Sequence, residues 1–221
     1  MLNIIKKLPF IRRYSTKSHA AWWAARKLDW KTSYLDTWTH PHRKCITKIL
    51  KIFQWRSLVE IGCGPGPNLI AIAKEFQSLG IQLGGIDVNP DAIELAKKAF
   101  TDGLFKVSPG DDVMLSDKST DVSLTDMCLI YVGPFKIHKY LQELKRISRN
   151  HIVLCEFHST NPFKSFWLKL FSGYHAHNYW KLLTKYGFYD ILSYKLTNDD
   201  WPDGTHQKDF GYIFVARVPK R

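Results

Sequence analysis

The stretch that decides the fold is "SLVEIGCGPGPN", residues 57–68, where a short apolar run containing a glutamate leads into three glycines. Gly62, Gly64 and Gly66 occupy alternate positions. Gly-x-Gly spacing alone is weak evidence, because tight turns of many kinds use glycine. The segments on either side therefore decide what this loop can do.

Strand and helix patterns alternate around the loop. Before it, "HPHRKCITKILKIF" has apolar residues at helical spacing, and after it "NLIAIAKEFQSLG" predicts a helix that ends at Gly80. Four further strand patterns follow, with helical patterns after the first and third: "IQLGGID", "LFKVSPGD", "DVSLTDMCLIYV" and "HIVLCEF". Such alternation predicts a parallel sheet with helices on both faces.

The two ends of the chain depart from this alternation. "HAAWWAARKLDWKTSYLDTW" predicts one helical segment before the first strand. Near the C-terminus a helix pattern is followed by "YDILSYKL" and "FGYIFVARV", which the polar, turn-rich "TNDDWPDGTHQKD" connects as in a hairpin. The predicted fold is therefore an α/β, Rossmann-like, doubly wound seven-stranded sheet, mostly parallel, with an antiparallel C-terminal strand pair.

The glycine loop falls where open parallel sheets bind ligands, at the carboxyl ends of the strands. A phosphate-binding P-loop requires Gly-Lys-Ser/Thr, but the first lysine here is Lys74, inside the following helix. A dinucleotide fingerprint requires glycine at position 67, which is Pro67. The pattern Glu60-x-Gly62-x-Gly64-x-Gly66 is different from both.

This pattern resembles the first motif of the class I S-adenosylmethionine-dependent methyltransferases, E-x-G-x-G-x-G. The similarity extends from about Trp38 to the C-terminus, with the later motifs in order, and is to domains of the small-molecule, type 11/12-like kind. It implies S-adenosyl-L-methionine as cofactor, S-adenosyl-L-homocysteine as product and no metal. It also implies an enzyme of the EC 2.1.1 class.

The resemblance implies cofactor contacts after each of the first four strands. Asp87, at the end of "GGID", would accept hydrogen bonds from the ribose hydroxyls. Asp111 or Asp112, in "SPGDD", would accept a hydrogen bond from the adenine amino group. Asp126 would lie beside the methionine part of the cofactor. A helix cap at Asp87 and a plain turn at "PGDD" remain the alternatives. The full predicted set is Glu60, Gly62, Cys63, Gly64, Gly66, Asp87, Val88, Asp111, Asp112 and Asp126.

Methyl transfer from a sulfonium is an in-line displacement, so the protein must align the acceptor and remove its proton where it has one. His158, just past "HIVLCEF", is the predicted general base because its side chain titrates near neutrality, and Tyr131 is the second predicted catalytic residue. A polar residue that merely starts a loop is the alternative for His158. The predicted substrate contacts are Tyr34, Trp38, Glu156, His175 and His177, with His42 as a further upstream candidate.

The absence of several motifs narrows the range of possible methyl acceptors. The pairs His40/His42 and His175/His177 lack a neighbouring cysteine or carboxylate cluster, so no metal site is predicted. No Asn/Asp-Pro-Pro-Tyr/Phe follows the fourth strand pattern, which disfavours methylation of adenine amino groups in nucleic acid. No Pro-Cys occurs there either, which disfavours the cysteine route to C5 of cytosine.

Composition predicts one globular domain. The chain has 221 residues, 45% hydrophobic and 24% charged. We divide it into a basic amphipathic arm, residues 1–28, and a methyltransferase domain, residues 29–221. Within the domain, residues 55–130 form the cofactor half, and residues 29–50 and 131–210 the substrate side. Four scattered cysteines predict free thiols in an intracellular protein.

The net charge of the chain does not decide which kind of partner it binds. The net charge is +12, and residues 1–28 contain no acidic residue. This arm is compatible with a solvated segment, with peripheral membrane or anionic-ligand contact, and with a mitochondrial presequence. We expect a cytoplasmic enzyme that methylates O or N of a small molecule or saccharide; mitochondrial matrix or peripheral membrane location is the alternative. An RNA- or protein-directed methyltransferase is the alternative function.

Overall fold

Seven strands form one sheet in the order β3-β2-β1-β4-β5-β7-β6 in the computed structural model, which describes residues 19–220. Residues 1–18 of the predicted arm lie outside the described residues. The strands are β1 Ser57–Ile61, β2 Gln82–Asp87, β3 Leu104–Val107, β4 Thr120–Asp126, β5 Ser148–Phe157, β6 Tyr189–Lys195 and β7 Gly211–Arg217.

The sheet is mixed. β1 pairs in parallel with both β2 and β4, and β4 with β5, whereas β7 lies antiparallel between β5 and β6. The chain runs outward from β1 to β3 and then returns to start β4 on the other side of β1. The strand order thus reverses between β1 and β4, which opens a crevice at their carboxyl ends. The predicted mostly parallel sheet with an antiparallel C-terminal pair is confirmed.

Helices cover both faces of this sheet. The α-helices of the described residues are α1 His19–Ala24, α2 Trp30–Ser33, α3 Pro41–Leu50, α4 Pro67–Glu75, α5 Pro90–Ala99, α6 Ile137–Ile147, α7 Pro162–Ser172, α8 Tyr179–Lys185 and α9 Gln207–Phe210. Short 3-10 helices span Leu35–Thr39, Gln77–Leu79 and Leu129–Tyr131.

Two apolar cores follow from the period-2 alternation of the buried strands. In β5, Val153 packs with the core formed by α3, α4 and α5, while its neighbours Ile152 and Leu154 pack with the core formed by α6 and α8. All five residues of β1 are buried, as expected of a central parallel strand covered on both sides. Burial at about 25 cal/mol per Å² of apolar surface stabilises both layers.

Three local predictions differ from the structure. The predicted helix before α3 is broken, because the Asp29 carboxylate accepts from the backbone N–H of Lys31 and Thr32 and starts α2 as a separate helix. Helix α7 was not predicted. The strand predicted over "DVSLTDMCLIYV" ends at Asp126, because Met127 adopts a left-handed φ of 48° that turns the chain out of the sheet.

All four cysteines are free, and Cys63 and Cys155 are buried in the α3–α5 core. Among residues 19–220, no helix has the length and apolar character needed to cross a bilayer.

Candidate functional site

The glycine loop between β1 and α4 borders the crevice. Gly62, Gly64 and Gly66 all have positive φ, which disfavours any side chain there. A Cβ on Gly62 would overlap the Sγ of Cys128, whereas a Cβ on Gly64 would meet no atom of the described residues within 4 Å. Gly64 thus keeps open a space that a side chain would occupy. Gly66 instead caps α4 and faces Phe100 and Leu69.

A buried polar cluster lies beside the loop. The Asn68 amide donates to Glu60 Oε1 at 2.6 Å and to Asp126 Oδ2 at 3.0 Å, linking β1, α4 and β4. Three acceptor oxygens of this cluster have no hydrogen-bond partner among residues 19–220: Glu60 Oε2, Asn68 Oδ1 and Asp126 Oδ1. Unpaired buried acceptors are costly, so this arrangement fits a ligand that brings several N–H donors.

The two carboxylates of the cluster differ electrostatically. Desolvation raises the pKa of Glu60 well above its ordinary value, and the Asn68 hydrogen bond offsets only part of this. Burial would also raise the pKa of Asp126, but the His42 ring and Arg43 outweigh it and hold that pKa low. A cation bound between the two carboxylates would stabilise the ionised form of Glu60.

Asp87 ends β2 at the same edge. Its Oδ2 accepts from the backbone N–H of Gly64 at 2.8 Å, and its Oδ1 accepts from that of Asn89 at 2.8 Å. Each oxygen keeps a second lone pair for a further donor. Burial raises the pKa of this carboxyl group, which the backbone hydrogen bonds partly offset.

A chain of two histidines reaches Asp126 from the start of α3. His42 Nε2 lies 2.9 Å from Asp126 Oδ2, and His42 Nδ1 lies 2.5 Å from His40 Nδ1. Trp201, from the connection between β6 and β7, stacks on His42 with ring centroids 3.9 Å apart. Desolvation, with the neighbouring His42 and Arg43, lowers the pKa of His40 to about 4. His40 is therefore neutral near pH 7.

These groups line one cleft of about 700 Å³. Carboxylates outnumber lysine and arginine in its described lining. The carboxylates are Glu60, Asp87, Asp126 and Asp203, and the lysine and arginine residues are Arg43 and Lys136. The cleft is thus not a cationic groove, although the chain as a whole carries a net charge of +12.

The opposite wall of the cleft is aromatic. Tyr131 packs edge-on against Trp23 and Tyr174, with centroids 5.3 and 5.5 Å away. Trp30 and Tyr34 stack obliquely at 5.3 Å. Such a wall offers ring faces and edges to a ligand while excluding water.

Helix α1 forms part of this wall and is held in place by the Asn89 side chain. The Asn89 side chain accepts from the backbone N–H of Ala92, capping α5, and donates to the carbonyl oxygens of Trp23, Ala24 and Arg26. Residues 19–26 of the predicted arm are therefore held beside the cleft, and His19, Ala20 and Trp23 line it.

Comparison with known proteins bears on this geometry. The sequence model of a family described as "Methyltransferase domain" matches residues 58–151, from β1 into β5. A comparison with curated protein sequences gives no match.

Solved structures share the fold at low sequence identity. A chain of the complex between the Haloferax volcanii Trm112 methyltransferase activator and a methyltransferase superposes with a TM-score of 0.63 at 18% identity, over 93% of this chain and 100% of that one. An S-adenosylmethionine-dependent methyltransferase from Methanosarcina mazei gives 0.59 at 19% identity, over 79% and 98%. Haemonchus contortus phosphoethanolamine N-methyltransferase 2, solved with phosphomonomethylethanolamine and S-adenosylhomocysteine, gives 0.69 at 13%, over 93% and 61%.

The chain contains a class I methyltransferase domain. It is an S-adenosylmethionine-dependent methyltransferase with the Rossmann-like fold of that class. The predictions of family, fold and enzyme class are thereby confirmed.

The structure brings much of the predicted cofactor set of the methyltransferase into one cleft. The predicted residues that line it are Glu60, Gly62, Cys63, Gly64, Asp87, Val88 and Asp126, together with Tyr34, His42 and Tyr131 from the substrate side. Gly66, Asp111 and Asp112 lie outside this lining. Ser108 and Gly110 border the cleft at that end, and Asp111 instead lies 3.9 Å from Lys136 Nζ.

The predicted general base of the methyltransferase lies elsewhere. His158 is buried outside the cleft lining, where its Nδ1 meets the His177 carbonyl at 3.0 Å and the Tyr179 N–H at 3.1 Å. His177 Nε2 lies 2.9 Å from the Val132 carbonyl, and His175 likewise does not line the cleft. These three histidines hold the β5–α8 connection together. The structure thus does not bring His158 to the cleft.

Two further predicted substrate contacts of the methyltransferase also lie outside the lining. Glu156 is fully buried and accepts from the backbone N–H of Cys128 and Ile130, which fixes the loop after β4, and desolvation raises its pKa to about 8. Trp38 lies under Lys74 Nζ, 4.5 Å from the ring centroid. Neither side chain faces the cleft.

Several cleft residues were not identified from the sequence. Asn68 stands directly after Pro67, at the first turn of α4, and so points its amide back at β1 and β4. The pair His40/His42 was considered only as a metal site or substrate contact, although it stands at the start of α3, from which His42 reaches Asp126 at the end of β4. Among residues 19–220, no group of three or more His, Cys, Asp or Glu side chains is arranged to hold a metal ion.

Proposed function

We propose that this methyltransferase moves a methyl group to an O or N atom of a small molecule that lies against the aromatic wall. The observation that carries this proposal is the aromatic wall, where Tyr131 packs against Trp23 and Tyr174 in a described lining that has two Lys/Arg side chains. A polyanion such as RNA would find few partners for its phosphates there, because phosphate recognition relies on lysine and arginine contacts.

Glu60, Asn68 and Asp126 are the residues that we propose hold the cofactor's α-ammonium group. The three unpaired oxygens of this cluster match the three N–H donors of an ammonium. When bound, S-adenosylmethionine supplies a methyl group already activated by its sulfonium. Charge-assisted hydrogen bonds of this kind contribute about 1.5–3 kcal/mol each.

The rest of the cofactor fits the loop and the end of β2. The space left open at Gly64 admits a chain that any Cβ would block. Asp87 has free lone pairs for two hydroxyl donors, while its bonds to Gly64 and Asn89 fix its position. Ser108 and Gly110 border the far end, where the adenine would lie.

His40 is the proton acceptor that we propose in place of His158. One set of tautomers satisfies both short contacts: His42 donates from Nε2 to Asp126, and His40 donates from Nδ1 to His42 Nδ1. This leaves the Nε2 lone pair of His40 free for an acceptor hydroxyl or amine. A proton taken by His40 Nε2 places a positive charge on the His40 ring, beside His42. The negative charge of Asp126 stabilises it.

The acceptor itself is proposed only by class. An aromatic wall suits a planar or apolar body, or an amine over ring faces. The Haemonchus enzyme, which shares the fold, was solved with a small phosphorylated amine. A saccharide acceptor would also use such a wall, through stacking on its apolar face.

The experiment is a fractionated labelling assay. Methyl-labelled S-adenosylmethionine and the purified protein are added to a cell extract that has been divided by ultrafiltration into small-molecule and macromolecular parts. We expect enzyme-dependent label in the small-molecule part. Label that appears only in material sensitive to ribonuclease or protease would overturn the proposal in favour of a polymer acceptor.

The proton acceptor is tested separately once a labelled product is available. His40→Ala should lower kcat about 100-fold or more, within the range for loss of a general base, and should leave S-adenosylhomocysteine affinity within about twofold. His158→Ala, checked for folding by its melting temperature, serves as the matched control. Loss of turnover in His158→Ala but not in His40→Ala would restore the prediction made from the sequence.

A further inference from the structure

Helix α7, Pro162–Ser172, exposes its apolar side rather than burying it. Leu168 is the one buried residue of this helix. The exposed fractions of its large side chains are 75% for Phe163, 60% for Phe166, 52% for Trp167 and 75% for Phe171. At 100° per residue, these four side chains occupy one side of the helix, and Leu168 lies off that side.

The exposed aromatic side chains form a continuous surface. Trp167 and Phe171 stack with ring centroids 5.4 Å apart, and Phe166 meets Trp167 edge-on at 5.6 Å. We call these four residues, Phe163, Phe166, Trp167 and Phe171, the α7 aromatic face. Aromatic side chains on an outward helix face are typical of helices that lie in the headgroup region of a bilayer.

The charged residues in the sequence around α7 have one sign. Residues 157–189 contain four lysines, Lys164, Lys169, Lys181 and Lys185, and no acidic residue. Residues 1–28 likewise contain no acidic residue. Such segments repel one another but are both attracted to an anionic surface, which argues against the arm as the partner of the α7 aromatic face.

We propose that the α7 aromatic face docks on an anionic lipid bilayer. Phe166, Trp167 and Phe171 enter the headgroup region, and the positive charge of residues 157–189 attracts the acidic headgroups. Docking of this kind needs both apolar burial and electrostatic attraction, because one of them alone gives marginal binding.

The docking face is connected to the cleft. Leu168, on the inner side of α7, packs in one apolar cluster with Ile130 and Phe157, and Tyr131 and Tyr174 contact the same cluster. Four of these five residues, all except Leu168, line the cleft. Helix α7 also starts just after the carboxyl end of β5, at the edge of the sheet where the cleft opens. A docked molecule would therefore hold its cleft near the membrane surface.

Vesicle co-sedimentation of the full chain tests this proposal. The vesicles are phosphatidylcholine alone, or phosphatidylcholine with roughly 30 mol% phosphatidylglycerol. We expect binding to the anionic vesicles and at least about tenfold weaker binding to the neutral ones. The triple variant Phe166→Ser/Trp167→Ser/Phe171→Ser should weaken binding to anionic vesicles at least about tenfold.

The matched control is Ile52→Ser/Leu79→Ser. Ile52 and Leu79 are 64% and 52% exposed and precede β1 and β2, at the opposite edge of the sheet. This variant removes exposed apolar surface away from α7 and should bind as the wild type does. Equal melting temperatures and unchanged S-adenosylhomocysteine affinity in both variants establish that the fold is intact.

Three results would overturn the proposal. The first is absence of binding to anionic vesicles. The second is unchanged vesicle binding in the triple variant, with binding lost when residues 2–18 are deleted, since the arm would then be the membrane contact. The third is a wild-type dimer in sedimentation equilibrium that the triple variant converts to monomer, since a second copy would then cover this face. None of these outcomes depends on the methyl acceptor.

Discussion

Asp126 receives side-chain contacts from two helices, and this sets the chemistry of the cleft edge. Its Oδ2 meets His42 from α3 and Asn68 from α4, while its Oδ1 is left for a ligand. Met127, with its left-handed φ of 48°, turns the chain immediately after it. The carboxylate therefore stays at the cleft and is not drawn into the sheet. A single side chain thus joins the proposed cofactor site to the proposed proton acceptor.

Asp87 and Asp111 allow a direct test of the cofactor site. Asp87→Asn removes the negative charge and leaves one acceptor oxygen for both backbone donors and ribose, so S-adenosylhomocysteine should bind about 10- to 100-fold more weakly. The S-adenosylhomocysteine affinity of Asp111→Asn should stay within about twofold of the wild-type value, because Asp111 lies outside the cleft lining. Isothermal titration calorimetry measures both. A larger loss in Asp111→Asn than in Asp87→Asn would contradict the assignment.

Alanine substitutions at two glycines of the loop should have different effects on stability and on cofactor affinity. Gly62→Ala forces a Cβ onto Cys128 at a φ of 77°, so we expect a stability loss of about 2–4 kcal/mol, partly recovered in Gly62→Ala/Cys128→Ala. Gly64→Ala has room for its Cβ and should cost only about 1–2 kcal/mol for its positive φ. Its Cβ should nevertheless lower S-adenosylhomocysteine affinity at least about tenfold. Urea unfolding and calorimetry separate the two effects.

At the scale of elements, the first and last parts of the chain complete a cleft that β1, β2 and β4 begin. Helix α1 closes it from one side, and the connection between β6 and β7 supplies Trp201 and Asp203 from the other. The side chain that ties α1 down is Asn89, the cap of α5. Capping and tethering by one residue couple the position of α1 to the end of β2.

Asn89→Asp should release α1 while it keeps the helix cap. The aspartate still accepts from Ala92 but cannot donate to the carbonyls of Trp23, Ala24 and Arg26. We expect amide hydrogen exchange in residues 19–30 to become at least about tenfold faster, since each lost bond contributes about 1 kcal/mol. Lys27→Ala, which removes only the exposed ion pair with Asp91, is the control and should change little. Equal exchange in the two variants would contradict the tether.

At the scale of the whole molecule, the buried histidines and the buried carboxyl groups change the stability of the fold with pH in opposite directions. Burial lowers the pKa of His151, His158, His175 and His177, whereas it raises the pKa of Glu60, Asp87 and Glu156. The histidines destabilise the fold as pH falls below 6.5, because the unfolded chain binds their protons first. The carboxyl groups act in the opposite sense, since the folded chain binds their protons first.

His175 offers a clean test of this balance because it does not line the cleft. Burial, with Lys169 and His177 nearby, lowers its pKa to about 3 from 6.5. Between these values the unfolded state carries the extra proton, so stability falls as pH decreases from 6.5. His175→Gln removes this group, and the drop in melting temperature between pH 7 and pH 5 should shrink by about 2 °C. An equal or larger drop in the variant would contradict the lowered pKa.

Much of the fold followed from the sequence because its signals are local. Period-2 and period-3.6 patterns, the proline and asparagine at the start of α5, and the Glu60 to Gly66 motif each lie within a few residues of one another. They predicted the strands, most helices, the class of enzyme and the position of Asp87. Helix α7 escaped prediction because its apolar residues face solvent, so its pattern does not mark a core face.

The sequence by itself determined the sheet, the glycine loop and the methyl donor, since each depends on residues that are neighbours along the chain. Only the tertiary structure decided which side chains meet at the reacting edge. His42 and Asp126 lie 84 residues apart, and their contact depends on how α3 packs beside β4. His158, which the sequence placed at a strand end, was turned into the protein interior by the aromatic packing around it. Contacts between distant residues are set by packing, and no local pattern encodes them.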